Sequence, residues 1–180
     1  MTKKTQQTQK KTGQASVPGN PDAAEVADGL RAMIIDGDLS SGARITERAV
    51  AERFDCTAST TREAFHLLEK QGAIIVSARK GARVIGAQQA PPRELLIVWD
   101  RLRWLLGENL RPSDVGALPD GGTGPGRTRS QRLAQVEQRV KMMSDMSGHP
   151  RLAELMIRVA LHVCIVAPEQ LDMIEESLRR

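Results

Sequence analysis

The sequence predicts a mainly α-helical protein with one small β-hairpin in its N-terminal half. Three observations predict this fold class. Apolar residues recur at helical spacing through residues 20–72 and again through residues 94–180. Between these ranges, two β-branched runs flank a short basic turn. A linker at residues 88–93, which contains two adjacent prolines, separates an N-terminal unit at 20–87 from an all-helical C-terminal unit.

Composition and charge narrow the classes of partner. The chain has 180 residues, a net charge of +4 and a pI near 9.4, which favours a polyanionic partner. Residues 1–19 carry four lysines and no acid, so we expect a disordered basic tail, either a solvating extension or a nonspecific phosphate contact. No stretch is apolar over the length of a signal peptide or a membrane span. We therefore expect a cytoplasmic protein without a membrane partner.

The first folded element is predicted to start at Asn20, as an N-cap followed by proline at the first helical position and by Asp22 in the first turn. Its apolar face would consist of Val26, Leu30, Met33 and Ile34. We predict that this helix ends near Gly37 and closes the core beneath the next two helices.

Residues 46–72 contain two short helical patterns divided by a tight polar break at 55–57. The apolar face of the first consists of Ile45, Ala49, Val50 and Phe54. Thr57 is a favourable N-cap for the second helix, and Gly72 is a favourable C-cap. The inner side of the second helix would carry Thr61, Ala64, Phe65 and Leu68, and the outer side Ser59, Arg62, Glu63 and His66, with Thr60 at the flank. Small hydroxyl residues followed by an arginine would let a phosphate or a base edge approach closely.

A basic hairpin is predicted directly after these helices. Its strands are residues 73–77 and 82–85, and its tip contains Arg79, Lys80 and Gly81. No acid occurs between residues 70 and 93, so the hairpin is locally cationic, as binding to backbone phosphates requires. Two helices joined by a tight turn and followed by such a two-stranded wing make a winged helix-turn-helix, whose second helix enters the DNA major groove. A helical hairpin that only packs, with a solvated charged wing, is the alternative.

The same residues resemble the GntR family of transcriptional regulators. The segment TASTTREAF at 57–65, with Leu-Glu at 68–69 and Gly72, is similar to that family's recognition segment. The resemblance also covers the segment at 36–45 and the wing at 80–84, and so runs from about residue 23 to residue 85. It implies contact with operator DNA by Arg48, Thr57, Ser59, Thr60, Arg62, Lys80 and Gly81.

To these contacts we add His66, which lies on the outer side of the second helix, and Arg79 of the basic turn. One position departs from the family pattern, because Ala58 stands where an arginine usually follows the N-cap. A bidentate contact to guanine, worth about 1–3 kcal/mol of discrimination, is therefore missing. We expect an unusual recognition sequence or a lower specificity.

The C-terminal half reads as helices around a long loop. A helix at 95–106 is apolar on more than one face, and both of its tryptophans are predicted to pack in a core rather than to form a ligand cage. Residues 112–130 are rich in Gly and Pro and are predicted to be a flexible loop with nothing to bury. Further helices are predicted at 131–146, from about 149–150 and from 168. The stretch 159–166 is apolar nearly all round, and a homodimer contact would cover it.

This half resembles a short, divergent form of the helical effector domain of the FCD type, through the segment SGHPRL at 147–152. That domain often holds a metal through one Asp and three His. Val136 and Val140 stand where the first two ligands would be, and His149 and His162 alone do not make a site. We therefore predict no metal and no cofactor, and we leave open whether an effector pocket remains. The two cysteines, Cys56 and Cys164, are predicted to be reduced and buried, with a redox-sensing disulfide as the alternative.

Together these features predict a transcriptional regulator that binds a double-stranded DNA operator as a homodimer, and they leave open whether a small-molecule effector controls it. A protein-interaction module that uses the winged helix without specific DNA binding is the second candidate. An enzyme is a distant third, because the sequence offers no paired carboxylates, metal cluster, triad or phosphate loop.

Overall fold

The computed structural model describes residues 20–77, 81–108, 110–116, 118 and 126–179. The N-terminal half contains α1 (Ala23–Asp36), β1 (Arg44–Ile45), α2 (Glu47–Phe54), α3 (Ala58–Gln71), β2 (Ile74–Ser77) and β3 (Gly81–Val84). The C-terminal half contains α4 (Pro92–Gly107), α5 (Pro112–Gly116), α6 (Arg129–Ser147), α7 (Pro150–Val166), a 3-10 turn (Pro168–Gln170) and α8 (Leu171–Ser177). The predictions for the tail at 1–19 and for Arg79 and Lys80 lie outside the described residues.

The fold is mainly α-helical with a small antiparallel sheet, as predicted. None of its described helices has the length and apolar character that crossing a bilayer requires.

Local capping signals set the ends of α3 as predicted. The side chain of Thr57 accepts a hydrogen bond from the Thr60 N–H at 3.1 Å. Gly72 ends the helix in the left-handed conformation, with φ of 84°, and its N–H donates to the carbonyl of Glu69 at 2.9 Å. These caps fix where α3 begins and ends, and therefore which side chains its outer face presents.

The predicted start of α1 is wrong by two residues. Asp22, and not Asn20, is the N-cap: its carboxylate accepts from the Glu25 N–H at 2.8 Å, while the Glu25 carboxylate accepts from the Asp22 N–H at 2.9 Å. This reciprocal capping box satisfies two backbone donors at once and needs Glu or Gln three residues after the cap, where Asp22 has Glu25 but Asn20 has Ala23. The predicted end at Gly37 is confirmed.

The sheet has three strands in the order β1-β3-β2, all antiparallel, where the sequence predicted two. Ile45 was assigned to the first helical pattern but lies in β1, where it pairs with Ala82. Ala49, predicted on the apolar face of α2, is exposed, whereas Val50 is buried. A strand of two residues is too short to show a period of its own.

One continuous apolar core joins the two halves of the chain. It runs from Val26 and Leu30 of α1, through Phe65 and Leu68 of α3, to Leu133 of α6 and the inner residues of α7. Within the described chain, the apolar stretch 159–166 is largely buried and α7 packs against α4 and α6, so its burial does not require the homodimer contact that the sequence suggested.

The two tryptophans of α4 have different surroundings. Trp99 is buried, as predicted, and its indole Nε1–H donates to Ser177 Oγ at 2.9 Å. Trp104 is 56% exposed, so its predicted place in the core is wrong. The two residues lie five positions apart, which puts them on different sides of the helix.

Residues 112–130 were predicted to be a flexible loop, but several of those that the structure describes are helical. Residues 112–116 form α5, and Val115 and Leu118 are buried at 9% and 7% exposure. The next helix, α6, starts at Arg129, where Thr128 and Gln131 form a second capping box.

Replacing Gly72 with Ala should lower the free energy of unfolding by about 1–2 kcal/mol, because a side chain is strained in the left-handed conformation. A Cβ at this position would also lie 2.9 Å from Nε2 of His162. Urea unfolding followed by circular dichroism measures the change.

The matched control is Gly107→Ala, since a Cβ at Gly107, the last residue of α4, meets nothing within 4 Å. This variant should be neutral or more stable by about 0.4–1 kcal/mol. Equal effects of the two substitutions would contradict the role given to Gly72.

Candidate nucleic-acid interface

The outer face of α3 is open to solvent, and its inner face is buried. Thr57, Ser59, Arg62 and His66 are exposed, and Thr60 is partly exposed. Thr61 is completely buried, and its hydroxyl donates to the carbonyl of Thr57 at 3.1 Å. The structure therefore brings together the residues that the sequence predicted on this helix, with short side chains at its N-terminal end.

Arg62 is held in place by an acid from the preceding helix. Its Nε donates to a carboxylate oxygen of Glu47 at 2.9 Å, and the Arg62 side chain remains 63% exposed. Within the described chain this contact engages Nε alone, which leaves the edge formed by the two Nη groups for another partner. That edge is the part of a guanidinium that binds a phosphate or a guanine in a bidentate manner.

Arg48 lies on α2 and is more exposed than Arg62. Its Nε donates to Glu52 at 2.7 Å along the same helix, and 89% of its side chain is accessible. Such an exposed pair contributes little to stability, so Arg48 can exchange Glu52 for a phosphate at small cost. Glu63 is also exposed on the outer face of α3, where its charge would repel a phosphate.

The wing has the two predicted strands, but β2 starts at Ile74 rather than at residue 73, and β3 runs over Gly81–Val84 rather than over residues 82–85. Ser77 of β2 pairs with Gly81 of β3, and residues 78–80 lie between them. Gly81 has φ of 77°, and a Cβ there would lie 2.5 Å from the carbonyl oxygen of Ile45. This close approach to β1 gives a structural reason for glycine, in addition to its predicted contact with DNA.

The C-terminal end of α3 is bound by α7, which the sequence did not predict. Arg158 donates from Nη2 to the carbonyl of Lys70 at 2.8 Å. His162 bonds through Nε2 to the carbonyl of Gly72 at 3.0 Å. A carbonyl only accepts, so Nε2 carries the proton in this contact. These residues lie about ninety positions apart in the chain, and no local sequence pattern reports such a contact.

A second junction holds the end of α1. The carboxylate of Asp36 accepts from the N–H and the hydroxyl of Ser130, both at 2.8 Å, and the Asp36 carbonyl accepts from Arg129. An acid near a helix N-terminus is also favoured by the helix dipole, here that of α6. The C-terminal half is therefore fastened to both α1 and α3.

The helical half lacks a convergent set of metal ligands among its described residues. Val136 and Val140 are buried in the core, and His162 is engaged by Gly72. Cys56 and Cys164 are both free thiols, the first partly exposed and the second buried. Burial raises the pKa of Cys164 to about 12, which disfavours the thiolate that redox chemistry needs.

The elements at residues 23–84 together form a winged helix-turn-helix, the fold of a class of DNA-binding proteins. Residues 22–84 match the sequence model of the family described as bacterial regulatory proteins, gntR family. Residues 22–84 therefore match the helix-turn-helix domain of GntR-family regulators.

Three solved structures are similar over most of the chain. A structure described as a transcriptional regulator GntR from Rhodococcus sp. RHA1 is 19% identical, with 87% of this chain and 70% of that chain covered and a TM-score of 0.41. E. coli McbR/YncC is 22% identical, with 88% of this chain and 70% of that chain covered and a TM-score of 0.40. A GntR family member from Pseudomonas syringae pv. tomato str. DC3000 is 23% identical, with 88% of this chain and 66% of that chain covered and a TM-score of 0.34. A comparison with curated proteins gives no match.

Stability should fall as the pH falls through the range in which His162 titrates. Burial lowers the pKa of His162, as does the charge of Arg158, although the hydrogen bond to Gly72 raises it. As the pH falls, His162 of the unfolded chain therefore takes up a proton near its ordinary pKa of about 6.5, before His162 of the folded chain does. This proton uptake stabilises the unfolded state relative to the folded state. The contribution is present above about pH 6.5 and is lost below it.

Urea unfolding at about pH 7.5 and about pH 5.5 measures this effect. The variant His162→Gln keeps an N–H donor but does not titrate, so it should lose less stability than the wild type over this interval. An equal loss in both proteins would show that the junction does not sense this proton.

Proposed function

We propose that the chain is a sequence-specific transcriptional regulator that binds operator DNA as a homodimer. One observation carries the proposal: the slender outer face of α3, with Ser59 and Arg62 exposed, belongs to a GntR-family domain. Regulation of this kind takes place on the chromosome, in the cytoplasm of a bacterium. It requires no catalytic group.

In the proposed complex the N-terminal end of α3 enters the major groove. Thr57, Ser59 and Thr60 are short enough to let the helix backbone approach, and their hydroxyls suit phosphates or base edges. Arg62 lies about one helical turn further along α3, and its Nη edge reaches a guanine or a phosphate. Ala58 leaves the first turn without a long cation, so we expect the operator to differ from that of relatives that have arginine there.

The surface of α4 supports the proposed homodimer. Four large apolar side chains are at least 40% exposed on this helix: Ile97, Val98, Trp104 and Leu105. Their spacing of i, i+1, i+7 and i+8 puts them on one face. An exposed apolar stripe that includes a tryptophan is typical of a protein interface. A dimer through α4 would present two α3 helices to successive turns of DNA, about 34 Å apart.

Control by an effector is the final part of the proposal. A ligand that binds the C-terminal helices can act only if it changes the position of α3 or the spacing of the two copies of α3. The contacts from α7 to Lys70 and Gly72 give it a physical route to α3. The alternative, a protein-interaction module, would use the same exposed face on an acidic partner and would bind DNA weakly and without sequence preference.

Selection of bound genomic DNA fragments by the purified protein tests the proposal most broadly. We expect enrichment of a symmetric site with two half-sites, because a twofold dimer reads a palindrome. Enrichment of no sequence, with affinity that depends only on fragment length, would support the interaction module instead.

Replacing Arg62 with Ala should remove about 1–3 kcal/mol of binding to the selected site and reduce discrimination at one base pair. Fluorescence anisotropy with the site and with a scrambled duplex measures both quantities. The control is Lys80→Ala, at the predicted wing tip, which should weaken both duplexes alike and reduce the salt dependence by about one unit of slope. Full affinity in the Arg62 variant would contradict the assignment of α3.

Replacing Trp104 with Glu should weaken the dimer by about 2 kcal/mol or more, because a central interface tryptophan is often a hot spot. Sedimentation velocity over a range of concentrations measures the dissociation constant. Met173→Glu is the control, since Met173 is also exposed but lies on α8. A wild type that stays monomeric while it binds the selected site would contradict the dimer.

A further inference from the structure

A cleft between the two halves of the chain is formed by α1, α3, α6 and α7. Its volume is about 430 Å³, within the range of about 300–1,000 Å³ that small-molecule sites occupy. Ile157 and Leu161 give it an apolar part, and Gln71 contributes from the last turn of α3. This cleft contacts the GntR-family domain and the C-terminal helices together.

Three of the four helices each contribute one acid and one base to the lining. The residues are Asp28 and Arg31 of α1, Glu137 and Lys141 of α6, and Glu154 and Arg158 of α7. The spacing within each pair is three or four residues, so both charges of a pair lie on the same side of their helix. Arg31 and Glu137 bind each other across the cleft with side chains that are 19% and 16% exposed, and they fix its inner wall.

The other four charges are less fully matched. Asp28 and Lys141 are exposed, and no ion pair is recorded for either within the described chain. Glu154 approaches Arg151 at 3.3 Å on the surface, and Arg158 donates to the carbonyl of Lys70. Two acids and two bases thus face one cavity with weak partners or with neutral ones. A ligand with a single charge would be attracted by the two groups of opposite charge and repelled by the two groups of like charge.

We infer that this cleft binds a small zwitterion of the amino-acid class, whose carboxylate takes Arg158 and Lys141 and whose ammonium group takes Asp28 and Glu154. A carboxylate is a stronger partner for a guanidinium than a neutral carbonyl is, and it can bind in a bidentate manner. The ligand therefore competes with the carbonyl of Lys70 for Arg158. The inference rests on the proposed function for its effect on DNA, but not for the binding itself.

Loss of the Arg158 contact changes how the recognition helix is held. The carbonyl of Lys70 is one of the last in α3, and the neighbouring carbonyl of Gly72 is held by His162 on the same helix, α7. A bound ligand removes one of these two contacts from α7 and leaves the end of α3 less constrained. DNA affinity then falls on ligand binding, and by linkage DNA lowers ligand affinity by the same factor, typically about 5- to 150-fold.

The experiment uses the full chain and a panel of the twenty common L-amino acids as probes. Thermal unfolding with and without each compound identifies binders, and calorimetry then measures the dissociation constant. An amine without a carboxylate and a carboxylic acid without an amine, each with the same side chain, test the need for both charges. Anisotropy with the selected DNA site, with and without the binder, measures the coupling.

The variants Arg158→Gln and Lys141→Gln each remove one charge from the cleft. Arg158→Gln also removes the hydrogen bond to the carbonyl of Lys70, whereas Lys141→Gln leaves that contact in place, and ligand-free unfolding checks that both variants fold. Each should weaken binding of the amino acid at least about tenfold, since one charge-assisted contact is worth roughly that much. Arg111→Gln, at the start of α5 and outside the cleft, removes the same charge and should leave binding unchanged.

No shift of the melting temperature with any amino acid would overturn the inference. So would equal binding by the wild type and both cleft variants, or equal binding of the singly charged analogues. Failure of DNA binding without ligand would count against the proposed function alone, because the thermal and calorimetric measurements still decide whether the cleft binds a zwitterion.

Discussion

Burial of one side of α3 is the interaction on which the rest of this structure depends. Ala64, Phe65 and Leu68 are at most 2% exposed and pack in a core shared with α1 and the sheet. Full burial of a side chain such as Phe65 or Leu68 is worth about 1.5–3 kcal/mol, more than any exposed ion pair of this surface. Because the helix has a fixed period, this burial turns Ser59 and Arg62 outward.

The second constraint acts at the other end of the same helix. The last carbonyls of a helix have no partner within it, and here Arg158 of α7 supplies a donor for the carbonyl of Lys70. His162 of α7 bonds to the carbonyl of the C-cap residue that follows, Gly72. Asp36 at the end of α1 accepts hydrogen bonds from Ser130 in the first turn of α6. The C-terminal half thus contacts the DNA-binding domain by polar groups around the shared core, and charged groups at such a junction can respond to a ligand or a proton.

Local signals account for how well the DNA-binding half was predicted from sequence. Thr57 and Gly72 determine the ends of α3 by their own backbone and side-chain chemistry, so the sequence was sufficient there. It was insufficient for β1, which has two residues and exists because Ala82 pairs with Ile45. It also failed for Trp104, because helical spacing shows which residues share a face but not which face another helix covers. The junction between Arg158 and Lys70 depends on residues far apart in the chain and could not be read from either segment.

In the proposed complex the N-terminal end of α3 lies against the DNA. Photo-crosslinking tests it most directly, with a benzophenone attached to cysteine at Ser59→Cys in a chain whose Cys56 is replaced by Ser. We predict crosslinks to the selected DNA from this position and none from the same group at Met173→Cys, on the exposed surface of α8. Bound DNA that crosslinks to position 173 but not to position 59 would contradict the account.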